Sequence, residues 1–192
     1  DYIKVAQAEG TDPPYSKADI QECIKHVVDI GHGEKTDIAP DIKISMENAG
    51  HILGSSSVYM HIGEGSHEHR LLFSGDIKYE KSWLFDAATV RFPKADTLVI
   101  ESTYGGPQDF QPNRVDATHE IQDLVKLAVS RSGKIFCPVF AVGRSQEVML
   151  AIDQLFKSGD VTPITVWLDG MISEATAIHA SHPDYLNRDL RK

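Results

Sequence analysis

The sequence is poor in cysteine, with only Cys23 and Cys137 among its 192 residues. Two thiols so far apart in the chain do not make the framework of a disulfide-rich secreted domain, and a cysteine-type zinc site needs more of them. A reducing compartment fits this usage best, so we expect a cytoplasmic protein.

Long hydrophobic runs are also missing. None approaches the roughly 20 apolar residues of a membrane-spanning helix, so we expect no membrane partner. The first residues, DYIKVAQAEG, contain no initiator methionine and neither the basic nor the apolar stretch of a secretory signal. At about 150 residues per domain, 192 residues make one large domain or parts of two. We expect a piece of a larger protein.

Positive charge is scarce. The chain has 19 Lys and Arg residues against 28 Asp and Glu residues, a formal net charge of −9. This balance argues against broad electrostatic binding of nucleic acid, although a local cationic groove or bound metal ions could still hold phosphate. The absence of Walker and GxGxxG loops argues against a nucleotide cofactor.

The first predicted element is a helix. Ser16 and Asp19 have the spacing of a capping box, with Asp in place of Glu or Gln. One helical face then carries four apolar residues, Ile20, Ile24, Val27 and Val28. Gly31 and Gly33 are expected to end the helix.

The rest of the first half predicts strands joined by hairpins. Residues 42–47 and 56–62 alternate between apolar and polar, and residues 70–74 return after a turn at 63–68. The glycine-rich segment 48–54 is expected to be a loop between two of these strands.

The second half has a different pattern, in which helices alternate with strands. We predict a helix whose apolar face runs from Ala117 to Ala128, and further helices at residues 144–156 and 173–180. Residues 134–139 and 164–168 are predicted strands, so this half should form a parallel sheet with crossover helices. We place a domain boundary near Tyr104, which divides the chain into residues 1–103 and 104–192.

Two acidic residues follow two short apolar runs that are predicted to be buried strands. Asp76 comes after residues 71–73, and Glu101 comes after residues 98–100. Ligand sites in open α/β sheets lie beyond the carboxyl ends of the strands, so the two carboxylates predict a cation site or an acid–base pair. The alternative is that strands often end in acids because loops are exposed to water.

His51 lies between glycines in the loop at residues 48–54. Glycine allows a backbone to approach a ligand closely, and a loop histidine can turn a ring nitrogen towards a metal ion. The Asp76 carboxylate has two oxygens and could bridge two cations about 3.5–4 Å apart. Zinc needs three or four protein ligands, so His51 and Asp76 make only part of a site. A solvated loop histidine is the alternative.

Arg144 and Ser145 mark a candidate phosphate site. They open a predicted helix after a strand and a glycine turn, in the segment PVFAVGRSQE. A helix N-terminus favours an anion, and the guanidinium fork suits phosphate. The alternative is an ordinary strand-to-helix junction with Ser145 as its cap.

Four ordered segments resemble the metallo-β-lactamase/β-CASP nucleases: AGHILGSSSVYMHI, LLFSGDIKYE, LVIESTYGG and PVFAVGRSQE. The closest resemblance is to the endonuclease subunit of the cleavage and polyadenylation specificity factor and its archaeal homologues. It covers nearly the whole chain. It implies an α/β protein in which part of a lactamase-type αββα sandwich, residues 1–103, is followed by the first part of a β-CASP domain, residues 104–192.

The resemblance also implies roles for three residues. His51 corresponds to a zinc ligand, Asp76 to the acid that bridges two zinc ions, and Glu101 to an acid that orients a catalytic histidine from later in the chain. Enzymes of this family cut RNA with metal-activated water. Further zinc ligands of the family, an HxHxDH cluster and later histidines, are not in this sequence, so we expect them elsewhere in a parent protein and expect this piece alone to be inactive.

The resulting hypothesis is that the parent protein is a zinc-dependent ribonuclease of the mRNA 3′-end processing or RNA decay type. We expect an endonuclease, and an additional 5′–3′ exonuclease activity is left open. Its expected partners are RNA, the remaining segments of the parent chain and a second copy in a homodimer. The alternatives are a non-catalytic RNA-processing subunit of the same fold, a DNA nuclease of the same superfamily, a small-molecule hydrolase and a plain α/β interaction domain.

Overall fold

The computed structural model describes residues 2–191. The chain forms two compact units, Asp1–Gly31 and His32–Lys192. In the first unit, α1 spans Tyr2–Glu9 and α2 spans Lys17–Lys25. No helix among the described residues is long and apolar enough to cross a bilayer.

The predicted capping box at the start of α2 is confirmed. The Ser16 hydroxyl accepts a hydrogen bond from the Asp19 amide at 3.3 Å, and the Asp19 carboxylate accepts one from the Ser16 amide at 2.7 Å. The predicted length was wrong, because α2 ends at Lys25 and Val27 and Val28 lie beyond it. Two consecutive β-branched residues are poor at continuing a helix, and both valines are exposed.

The second unit begins with a five-stranded sheet. Its strands are β1 (Lys35–Ala39), β2 (Ile42–Asn48), β3 (Ser56–Ile62), β4 (His69–Phe73) and β5 (Thr97–Val99), in that spatial order. The first four strands pair antiparallel, which confirms the predicted hairpins, and β5 runs parallel to β4. The α/β class is therefore confirmed, with a mixed sheet.

The strand register brings three loops to one edge of the sheet. Asn48 at the end of β2 pairs with Ser56 at the start of β3, and Phe73 at the end of β4 pairs with both Val58 and Val99. The loops at residues 49–55, 74–78 and 100–103 therefore begin at the same side of the sheet. We call this side the loop edge.

Three helices follow the sheet: α3 (Arg114–Ser130), α4 (Arg144–Ser158) and α5 (Ile172–Ser181). Short 3-10 turns occur at Gly65–His67 and Pro183–Tyr185. The helices lie close to their predicted positions. Val125, Leu155 and Val161 form a buried cluster between α3 and α4 and the segment that follows α4.

The parallel sheet predicted for the second half was wrong for the described residues. Segments 134–139 and 164–168 are not strands there, and Phe136 and Trp167 are 91% and 89% exposed. A buried parallel strand needs hydrogen-bonded neighbours and a covered face, and no described element supplies them. For the same reason the burial predicted for residues 98–100 was wrong, since Leu98 and Ile100 are 54% and 57% exposed.

Candidate functional site

The loop that carries His51 is held by its own side chains. Asn48 accepts a hydrogen bond from the Gly50 amide at 2.9 Å, and the Ser55 hydroxyl accepts from the His51 amide at 3.0 Å. These bonds fix the backbone on both sides of the imidazole. The residue is exposed, and its ring makes no hydrogen bond in the described part of the chain.

The same loop lies directly on the loop that follows Asp76. The Lys78 amide donates to the Ala49 carbonyl at 2.8 Å. Gly50 has a φ of +68°, and a Cβ placed on it would lie 2.7 Å from the Lys78 carbonyl oxygen and 2.8 Å from the Ala88 nitrogen. Only glycine fits such an approach. The contact brings the backbones beside His51 and Asp76 together.

Asp76 follows a strand end that is anchored in the sheet. The Ser74 amide donates to the Val99 carbonyl at 2.9 Å, and the buried Ser57 hydroxyl donates to the Ser74 carbonyl at 2.8 Å. The Asp76 residue itself is exposed, and among residues 2–191 its carboxylate has no hydrogen bond or ion pair. Both of its oxygens are therefore available to a ligand.

Glu101 joins its own loop, at residues 100–103, to the Asp76 loop. One carboxylate oxygen accepts from the Ile77 amide at 2.7 Å, and the other accepts from the Thr103 hydroxyl at 2.6 Å. The Thr103 hydroxyl, then the Ile77 amide and more weakly the charge of His51 hold the pKa of Glu101 below its ordinary value, while burial opposes them. Glu101 is thus an ionised acceptor beside both His51 and the residue after Asp76.

We expect Thr103→Val to raise the pKa of Glu101 towards its ordinary value, because it removes the largest cause of the lowering. A lowered carboxyl pKa stabilises the fold above the unfolded-state pKa, and this stability is lost as pH falls through the folded-state pKa. The full-length variant should therefore melt at a lower temperature than the unmutated protein at pH 7, and the gap should narrow at acid pH.

The measurement is the thermal midpoint across this pH range. Thr103→Ser keeps the hydroxyl and should follow the unmutated protein. A gap for Thr103→Val that stays constant at every pH would contradict this role for the hydroxyl.

The start of α4 also lies at the loop edge. A Cβ placed on Gly143 would lie 3.6 Å from Cγ2 of Ile52, the residue after His51. Arg144 is exposed, and its contact with phosphate stays a prediction. Ser145 is only 3% exposed, and its hydroxyl donates to the Ala141 carbonyl at 2.7 Å. That hydrogen is bonded to the backbone and is not available to a phosphate. Ser145 is not the helix cap either, because α4 begins at Arg144 and its N-cap is Gly143.

A cluster of charged residues joins this helix to the Asp76 loop, and sequence reasoning missed three of its four members. Glu147 accepts from Arg114 at 2.9 Å and from Arg144 at 3.0 Å, and the Lys78 ammonium lies 3.8 Å from it. Burial lowers the pKa of Lys78, as do the two arginines, while Glu147 opposes the shift. We call these four residues the Glu147 cluster. Lys78 and Glu147 lie within two of the segments that carry the family resemblance, whereas nothing in the sequence around Arg114 indicated a functional role.

His51 and Asp76 are the residues at the loop edge that could hold a metal ion. No group of three or more His, Cys, Asp or Glu side chains suited to a metal ion is found among residues 2–191. The described residues therefore supply an imidazole and a carboxylate of the types that zinc prefers, but not a complete set of ligands.

Comparison with known proteins finds archaeal relatives along the whole chain. The proteins named "Transcription termination factor FttA" from Methanosarcina mazei, Methanocaldococcus jannaschii and Lokiarchaeum sp. are 50%, 45% and 44% identical to it over 192 residues. The alignments cover 100% of this chain and 30% of each relative, so the chain spans under a third of their length. No protein-family model matches the chain.

Proposed function

We propose that this chain is part of a zinc-dependent ribonuclease, because its archaeal FttA relatives confirm the resemblance to the β-CASP branch of the metallo-β-lactamase proteins. The proposed reaction is hydrolysis of RNA phosphodiester bonds. The name of the relatives refers to transcription termination, which supports a nascent transcript as the RNA. In the proposed architecture, residues 1–103 form part of an αββα sandwich and residues 104–192 the first part of a β-CASP domain.

One observation carries the proposal. The His51 loop and the Asp76 loop are joined by the bond between Lys78 and Ala49 and by the close approach at Gly50. The imidazole and the carboxylate on these loops are exposed and make no hydrogen bonds within residues 2–191. An imidazole and a carboxylate that are exposed, without hydrogen bonds and held on two joined loops are suited to bind a metal ion.

Each residue has a proposed role. His51 and Asp76 would hold zinc together with ligands from other parts of the full protein. Bound zinc lowers the pKa of water and polarises a phosphodiester. Glu101 stays ionised and fixes the backbone beside Asp76. It also orients a catalytic histidine from a later part of the full protein, because a carboxylate that accepts a hydrogen bond from one ring nitrogen fixes the orientation of the imidazole. The exposed guanidinium of Arg144 contacts phosphate.

We expect chelation to abolish RNA cleavage by the full-length protein. Because bound metal ions would activate the attacking water and offset charge on the phosphate, the rate should fall by at least about 100-fold and return when zinc is added. The assay uses a labelled single-stranded RNA and a DNA of the same sequence.

The remaining outcomes separate the alternatives. Cleavage that survives exhaustive chelation would refute the zinc-dependent mechanism. A preference for the DNA strand would favour a DNA nuclease, and inactivity of the zinc-loaded full-length protein on both strands would favour a non-catalytic subunit.

A further inference from the structure

The Glu147 cluster brings three cationic side chains together in a protein that is acidic overall. Lys78, Arg114 and Arg144 surround a single carboxylate, whose side chain is only 12% exposed. Glu80 is a more distant acid that also acts on Lys78. The cluster therefore carries a surplus of cations in a chain whose formal net charge is −9.

Two of these cations are partly desolvated. The side chains of Lys78 and Arg114 are 23% and 28% exposed, and Nε of Arg114 is buried without a hydrogen-bond partner among residues 2–191. Placing several like charges together away from water is unfavourable unless an anion compensates them. Glu147 offsets one of the three positive charges and the more distant Glu80 offsets a second, so one further anion would balance the cluster.

The cluster also lies beside the proposed metal ligands. Lys78 is two residues from Asp76, and its amide is bonded to the His51 loop through Ala49. Arg144 follows Gly143, which packs near Ile52 of that loop. An RNA strand with one phosphodiester at His51 and Asp76 would place a neighbouring phosphate at the Glu147 cluster.

We propose that Lys78, Arg114 and Arg144 bind a backbone phosphate of single-stranded RNA next to the scissile one, and that Glu147 is a positioning residue for the three cations. This rests on the proposed function and extends it from Arg144 to a composite site contributed by both halves of the sequence. The guanidinium forks give directed hydrogen bonds to phosphate oxygens, and the ammonium adds a point charge.

The experiment measures binding of a short fluorescent single-stranded RNA by the full-length protein over a series of salt concentrations. All variants carry Asp76→Ala so that the RNA stays intact. We expect Lys78→Gln and Arg144→Gln each to weaken binding about tenfold. Each should also reduce the slope of log affinity against log salt by about 0.7, the value for one contact with a single strand.

Lys157→Gln is the matched control, because it removes the same charge from the same helix outside the cluster. Lys157 is paired with Asp153 at 2.7 Å and its side chain is 76% exposed. This variant should leave the salt slope unchanged. If Lys78→Gln and Arg144→Gln behave like it, the cluster is only a structural ion network and the proposal is overturned.

Glu147→Gln tests the positioning role separately. If Glu147 merely competed with RNA for the cations, its neutralisation would tighten binding. We expect weaker binding instead, because the three cations lose the group that holds them in place, and tighter binding would refute this role. Failure of the proposed function is distinguishable, because RNA cleavage by the protein without Asp76→Ala is measured independently of these salt slopes.

Discussion

Asp76→Ala is expected to reduce RNA cleavage by the full-length protein on the order of 10³-fold or more, and to lower its zinc content. The expectation follows from the place of the residue at the loop edge. Its strand is anchored by the Ser74 and Ser57 bonds, yet its carboxylate has no partner among residues 2–191. Removing a carboxylate that has no hydrogen bond or ion pair among the described residues should cost little stability, so the loss should appear in the chemistry.

Two variants separate the metal role from other effects. Asp76→Asn keeps the shape of the side chain but removes the charge that a metal ion needs, and it should resemble Asp76→Ala. Glu64→Gln removes an exposed carboxylate from the turn between β3 and β4, at the opposite end of these strands, and it should leave cleavage and zinc content unchanged. Cleavage by Asp76→Ala at the rate of the unmutated protein would refute the assignment.

The loop edge could be predicted because its signals are local. A short apolar run followed by Asp76, and a second followed by Glu101, indicate strand ends from the sequence alone, and β4 and β5 lie at these places. The capping box at Ser16 is equally local. Whether the two acids, with His51, form a metal-dependent catalytic site remains a prediction.

The Glu147 cluster could not be predicted, because its members come from distant parts of the chain. Lys78 and Glu147 are 69 positions apart and meet only when α4 lies against the Asp76 loop. No spacing rule connects them. The exposure of β5 and of residues 134–139 has a related cause, since whether an apolar segment is covered depends on what pairs with it and not on its own composition.

Gly50 controls whether the His51 loop can lie on the Asp76 loop. A Cβ there would lie within 3.0 Å of three backbone atoms, from Lys78, Asp86 and Ala88. The backbone is not free to move, because the Ala88 amide donates to the Lys78 carbonyl and the Lys78 amide donates to Ala49, both at 2.8 Å. A side chain at residue 50 would therefore have to break the bonds that join the two loops.

We expect Gly50→Ala to reduce the free energy of unfolding by about 3–5 kcal/mol, from a positive φ that disfavours alanine and the loss of these hydrogen bonds. It should also displace His51, so that zinc content and RNA cleavage fall together.

Gly54→Ala is the matched control, because Gly54 has a φ of +74° in the same loop but nothing lies within 4 Å of its placed Cβ. That variant should lose only about 1–2 kcal/mol and keep its zinc. Thermal unfolding, metal content and cleavage of the full-length proteins measure the difference. If Gly50→Ala is no worse than Gly54→Ala in all three, the close approach does not hold the proposed site together.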